Sequence, residues 1–188
     1  MVGKVVRLMS ERSGDHESDR GWSKPLLVSS CLLGVRCNHE GEANTSEAVV
    51  ALRSRFRLVP ICPETAGGLP TPRPYAEVQL DGTVRSGEGD DVTDAYRRGA
   101  AHAVRLARSV GATGAVLKAR SPSCGCHEIY DGSFTRTRVP GEGVTARALR
   151  EAGLAVTSEH DIAAATDPTS SDQPDQPGQP GQPGHGVT

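Results

Sequence analysis

Aromatic side chains are scarce in this chain: two phenylalanines, three tyrosines and one tryptophan make up 3% of its 188 residues. A platform that binds nucleic acid by stacking successive bases needs more of them. Charge of one sign is missing too, since 21 basic against 23 acidic side chains leave a formal net charge of −2. That is too little for a general electrostatic grip on nucleic acid or anionic lipid. No run approaches the roughly 20 apolar residues that span a bilayer. The opening MVGKVVRLMSERSGD is broken by Lys4 and Arg7, so it lacks the apolar centre of about 7–15 residues that marks a signal peptide. No Gly-x-Gly-x-x-Gly opens a helix and no Gly-x-x-x-x-Gly-Lys-Ser/Thr occurs, which removes dinucleotides and nucleoside triphosphates from the expected ligands. There is no Gly-x-Ser-x-Gly elbow either. These absences leave a small-molecule partner, no nucleic acid and no membrane, and a reducing, cytoplasmic setting. There the five cysteines are expected to bind metal, to react or to pack, rather than to pair as disulfides.

The chain reads as three stretches. Residues 1–24 are polar and without a periodic face, a disordered lead. Residues 166–188 are rich in glutamine, proline and glycine, a composition that does not offset the entropy of ordering. Between them, residues 25–165 are expected to form a single domain. Pro25–Ser30, Arg57–Ile61 and Gly114–Ala119 are short apolar runs, as expected of strands buried on both faces, and Leu154–Glu159 is a fourth strand. Asn44–Arg55 carries helix signals between the first two. The longest helix is expected over Asp91–Gly111, with Asp91 as cap, Asp94 completing a capping box and Gly111 closing it. A further helix is expected over Gly143–Gly153. Val78–Gly89 reads as a hairpin turning at Asp81-Gly82. Strands alternating with helices predict an α/β fold: an open, mostly parallel, Rossmann-like sheet with helices on both faces and an inserted hairpin.

On that scaffold Cys31 ends the first strand, Cys62 ends the second, and Cys124 lies in the loop after the third. Ligands of open α/β sheets bind in the crevice beyond the carboxyl ends of the strands, so the spacing directs three thiols to one crevice. Each lies beside glycine or proline, where free backbone amides can donate to sulfur or an anion. Cys37 and Cys126 are placed by no strand end and read as bystanders, although Cys126 competes as a ligand. Three thiolates suit zinc, with His39 or His127 as a fourth ligand, or a four-iron cluster that keeps one iron open as a Lewis acid. Glu64, two residues past Cys62, is a candidate general base. Ser121 and Ser123 flank Pro122 and can hydrogen-bond a substrate carbonyl. Lys118 and Arg120 can anchor an anion or a polarised ring.

The segments SSCLLGVRC, CPETAGGLPTPRPYAEV, DVTDAYRRGA, LKARSPSCG and IYDGSFTRTRVPGEGVTARAL resemble the thiouracil desulfidase family, and the likeness runs from about Leu27 to Glu159. The resemblance implies a [4Fe-4S] cluster held by three cysteines, here Cys31, Cys62 and Cys124, with one iron open. It also implies a desulfidase that removes sulfur from a thiolated pyrimidine to give the oxo-pyrimidine and sulfide, the substrate sulfur binding the open iron. The catalytic carboxylate of the family falls on Glu64 and its catalytic serine on Ser121 or Ser123. After the first cysteine the family commonly reads Arg-Tyr-Asp/Asn-Gly, whereas this chain has Asn38-His39-Glu40-Gly41, which places a titratable ring, His39, at the substrate wall. Glu64 would deprotonate the attacking water, and no net electron transfer is needed. The alternative is a non-enzymatic iron–sulfur or zinc carrier, for which Glu64 would be dispensable.

Overall fold

The computed structural model describes residues 24–166. The expected disordered lead and tail lie outside the described residues, apart from residues 24 and 166 themselves. Four strands, β1 (Lys24–Ser29), β2 (Phe56–Ile61), β5 (Gly114–Leu117) and β8 (Ala155–Ser158), form one sheet in the order β2-β1-β5-β8, and every pairing in it is parallel. The expected α/β architecture is the one observed. Pro60 lies on β2, an edge of this sheet, where a missing N–H is tolerated.

Alternation along β1 divides the core. Leu27 pairs in register with Val59 and Ala115 and packs on one face beside Ala103 and Ala107 of α3 (Thr93–Val110) and Ala146 and Leu149 of α4 (Val144–Glu151). Leu26 and Val28 point to the other face, toward Val49 of α1 (Glu47–Ala51) and Ile162 of α5 (Glu159–Thr166). Helices therefore cover both faces. The helix expected over Asn44–Arg55 is shorter, five residues followed by a 3-10 turn. Its N-cap residue, Ser46, makes no side-chain cap bond.

The long helix begins at Thr93. Asp91 lies one position before the cap and accepts a hydrogen bond from the Thr93 N–H at 2.9 Å, while Asp94 pairs with Arg97 at 3.8 Å instead of closing a capping box. Gly111, at φ 71°, ends the helix as expected. The small residues of α3 admit not only the sheet but also α2 (Pro63–Ala66): a Cβ on Gly99 would lie 1.9 Å from the Pro63 carbonyl oxygen, and one on Gly67 would lie 2.0 Å from that of Ala95. This backbone-to-backbone approach fixes the segment that carries Cys62 and Glu64.

Two hairpins stand outside the sheet. The expected one pairs β3 (Ala76–Val78) with β4 (Val84–Ser86). A second pairs β6 (Glu128–Tyr130) with β7 (Arg138–Pro140). Glu77, 4% exposed, joins them by accepting from the N–H groups of Gly132 and Phe134, each at 3.0 Å. Among the described residues, no helix is long and apolar enough to cross a membrane.

Candidate metal centre and active site

The chain leaves β1 and turns outward in one direction to β2 and in the other to β5, so the sheet changes direction between β1 and β5, where a crevice opens at the carboxyl ends. A cavity of about 640 Å³ occupies that position, and Cys31, Cys62 and Cys124 all line it. Cys31 sits in the 3-10 turn Ser30–Leu33 that follows β1, two residues past the strand's last residue, Ser29. Cys62 precedes α2. Cys124 lies in the turn after β5, where its sulfur accepts a hydrogen bond from Ser29 Oγ at 3.4 Å. That hydroxyl in turn accepts from the Lys118 N–H at 3.0 Å, which locks β1 to the β5 exit.

Cys37 is no bystander in space. The loop after the 3-10 turn folds back and places it on the same cavity, with its carbonyl accepting from Cys62 Sγ at 3.6 Å. Burial, and then the neighbouring Cys62, push the Cys31 thiol up to about 11 and the Cys37 thiol up to about 12. Burial likewise raises Cys124. Crowded, desolvated thiols of this kind ionise together only when a cation compensates them, so the donor set fits a metal centre. Cys126 is elsewhere, on a small separate pocket with His127.

Glu64 enters the cavity from α2. Arg73 Nε donates to its Oε2 at 2.7 Å, and the two side chains are 5% and 13% exposed. The same guanidinium reaches the carbonyl oxygens of Cys37 at 3.2 Å and Pro70 at 3.1 Å, so one buried cation fixes both the carboxylate and the Cys37 loop. Tyr96 of α3 is buried beside Glu64. Burial, then the carboxylate charge, raise its pKa, and the phenol stays protonated. Ser121 Oγ donates to Glu64 Oε1 at 3.4 Å and accepts from the N–H groups of Ser123 and Cys124 at 3.1 and 3.0 Å. Ser123 is not on the cavity. It is fully buried and its hydroxyl exchanges a hydrogen bond with Thr145 Oγ1 at 2.9 Å, at the start of α4.

The remaining sequence candidates also line the cavity, with differing freedom. Lys118 Nζ is paired with Glu159 at 2.5 Å and Arg120 Nε with Glu128 at 2.9 Å, so neither cation is uncommitted. His39 is exposed on the cavity wall. Sequence reasoning missed Arg73, Tyr96 and Cys37 as site residues. Tyr75 and Phe134, packed edge to face at 5.7 Å between centroids, were missed as well, although they also line the cavity.

A family model described as 2-thiouracil desulfurase matches residues 26–161. The chain belongs to the 2-thiouracil desulfurase family. Within reach of that family, the chain is 40% identical over 146 residues to the uncharacterized protein YbbK of Bacillus subtilis (strain 168), covering 73% of this chain and 97% of YbbK. A solved structure, the [4Fe-4S]-dependent thiouracil desulfidase TudS, is 41% identical, covers 76% of this chain and 97% of its own, and superposes with a TM-score of 0.70. The residues matched by the family model include every residue that lines the cavity.

Proposed function

We propose that the chain is a [4Fe-4S]-dependent desulfidase converting a thiouracil-like pyrimidine and water into the oxo-pyrimidine and hydrogen sulfide, with Cys31, Cys62 and Cys124 as the cluster ligands. The observation that carries this is the meeting of three thiols from the ends of β1, β2 and β5 in one cavity with Glu64. Their spread favours a cluster over one ion: among the described residues, the group of His, Cys, Asp or Glu whose ligand atoms all lie within 4.8 Å of one another is Cys126, His127 and Asp161, not the cavity cysteines. Ligands of a single tetrahedral zinc stand about 3.3–3.7 Å apart, whereas the thiolates on a cubane are held farther apart.

With three protein ligands the cluster would supply an open iron as a Lewis acid for the thiocarbonyl sulfur. The rest is done by the chain. Glu64 takes a proton from water as the oxygen attacks the ring carbon, and its carboxylate is kept in place by Arg73 and Ser121. Of the two serines, Ser121 is assigned the role at the reacting groups and Ser123 a role in docking the turn onto α4. Lys118 and Arg120 act through their ion pairs on the shape of the β5 exit, and His39 meets the distal side of the ring. The exchange of sulfur for oxygen balances without an electron donor, so the reaction is non-redox. The cytoplasm, as a reducing compartment, suits such a thiolate site.

The test is anaerobic purification followed by incubation with 2-thiouracil. Uracil and sulfide are expected in equal amounts, and Glu64→Gln is expected to keep its iron while losing about 100-fold or more of the turnover. A Glu64→Gln protein with undiminished turnover would sink the assignment. A cluster-bearing protein that turns over neither 2-thiouracil nor 4-thiouracil would favour the carrier reading.

A further inference from the structure

The chain carries a second cluster of metal-ligating side chains at the other end of the same sheet edge. Cys126, His127 and Asp161 bring one ligand atom each within 4.8 Å of one another, around a pocket of about 130 Å³. From these observations we infer that they form an open-sided site for a divalent transition metal of the zinc class, distinct from the cysteine cavity. The inference stands whether or not the cavity holds a cluster.

The donor set selects the class of ion. A thiolate, an imidazole and a carboxylate are the mixture that zinc accepts with three protein ligands and one exchangeable position. Calcium and magnesium would require oxygen throughout. Burial is graded in the same sense: Cys126 is 4% exposed, and the Asp161 and His127 side chains are 17% and 52% exposed, so the ion would be reached from the His127 side. His160 lies on the rim of the same pocket.

The ligands are held ready by groups that have no part in the cysteine cavity. Asp161 Oδ2 accepts from Thr157 Oγ1 at 2.8 Å, from the Ser158 N–H at 2.9 Å and from Ser158 Oγ at 2.9 Å. The Cys126 carbonyl is gripped by Arg150 Nη2 at 3.2 Å, and the His127 carbonyl accepts from the Gly141 N–H at 3.1 Å. A shell of this kind, orienting ligands from behind, is the usual support of a metal site. His127 Nε2 and Asp161 Oδ2 lie 2.8 Å apart, within hydrogen-bond distance. Opening that pair by about 0.5 Å would give the ligand separation of a tetrahedral zinc site, so an ion fits between the two side chains after a small movement. The bound ion would tie the Ser121–His127 turn, which carries Cys124, to the junction of β8 and α5.

Protein purified anaerobically is titrated with zinc against a chromophoric chelator, and separately with cobalt to read the sulfur-to-metal charge-transfer band. One saturable site per chain is expected. His127→Gln leaves all five thiols in place and should weaken zinc by about 100-fold or more. Cys126→Ser should abolish the cobalt charge-transfer band while the visible absorption of the iron–sulfur centre persists. Absence of saturable binding, or zinc affinity and cobalt spectrum unchanged in both variants, overturns the proposal. So does a cobalt band that survives Cys126→Ser and disappears in Cys37→Ser, which would put the metal in the main cavity.

Discussion

Two corners of one sheet edge hold sulfur ligands, and they differ in spread, donor type and access. The corner at β1, β2 and β5 gathers Cys31, Cys37, Cys62 and Cys124 around about 640 Å³. The corner at β8 gathers one thiol, one imidazole and one carboxylate within 4.8 Å. The first is wide and gathers four thiols, dimensions that suit a polynuclear centre and a substrate together. The second is tight and mixed, dimensions that suit one ion. Donor spacing, more than cysteine count, distinguishes the two.

The sharpest way to break this comparison is to exchange ligands one corner at a time. Cys31→Ser, Cys62→Ser and Cys124→Ser are each expected to lose most of the iron and acid-labile sulfide, measured by elemental analysis, whereas His127→Gln retains both. Iron retained by all three serine variants would show that the wide corner is not the cluster site.

Next in size is a change that touches no ligand. Gly99→Ala drives a methyl group toward the Pro63 carbonyl oxygen, and α2 must move. A loss of about 3 kcal/mol in denaturant unfolding is expected, together with reduced turnover in the folded protein, because Cys62 and Glu64 ride on the displaced segment. An unchanged unfolding midpoint would contradict the packing account.

That contact marks what the sequence discloses and what it hides. The four strands of the sheet were legible because each is a short apolar run, and Cys31, Cys62 and Cys124 were legible because each follows one of those runs. Cys37 was not, since its position depends on a loop reversal after the 3-10 turn that leaves no periodic trace. Arg73 looks in sequence like one basic residue in a proline-rich loop; its buried pairing with Glu64 exists only once α2 and that loop are folded together. The β6–β7 hairpin escaped notice because its strands have three residues each and their alternation is too short to register. The helix near Glu47 was overextended because cap-forming residues precede it without making cap bonds.

A finer contrast separates the two serines of the SPSCG block. Ser121→Ala should lower turnover about 10-fold to 100-fold in protein that is still folded, because it removes the donor to Glu64. Ser123→Ala should cost about 1–3 kcal/mol by leaving Thr145 Oγ1 short of a buried partner, and the folded protein should keep its turnover. The reverse pattern would interchange the two roles.

The smallest effect lies far from both corners. Side-chain and backbone hydrogen bonds from Thr93 hold the Asp91 carboxyl below its ordinary value. A carboxyl depressed in the folded state stabilises above its unfolded pKa and ceases to do so as pH falls through the folded one. The difference in melting temperature between wild type and Asp91→Ala should therefore be largest near neutrality and shrink below about pH 4. A difference that grows toward acid pH would reverse the sign and refute the assignment.

Three cysteines distant in sequence are proposed to share one iron–sulfur cube. Diffraction from anaerobically grown crystals at the iron absorption edge tests it directly. An anomalous peak for about four irons at the sulfurs of Cys31, Cys62 and Cys124 is expected. Iron bound at Cys126, or a mononuclear ion between the cavity thiols, would contradict it.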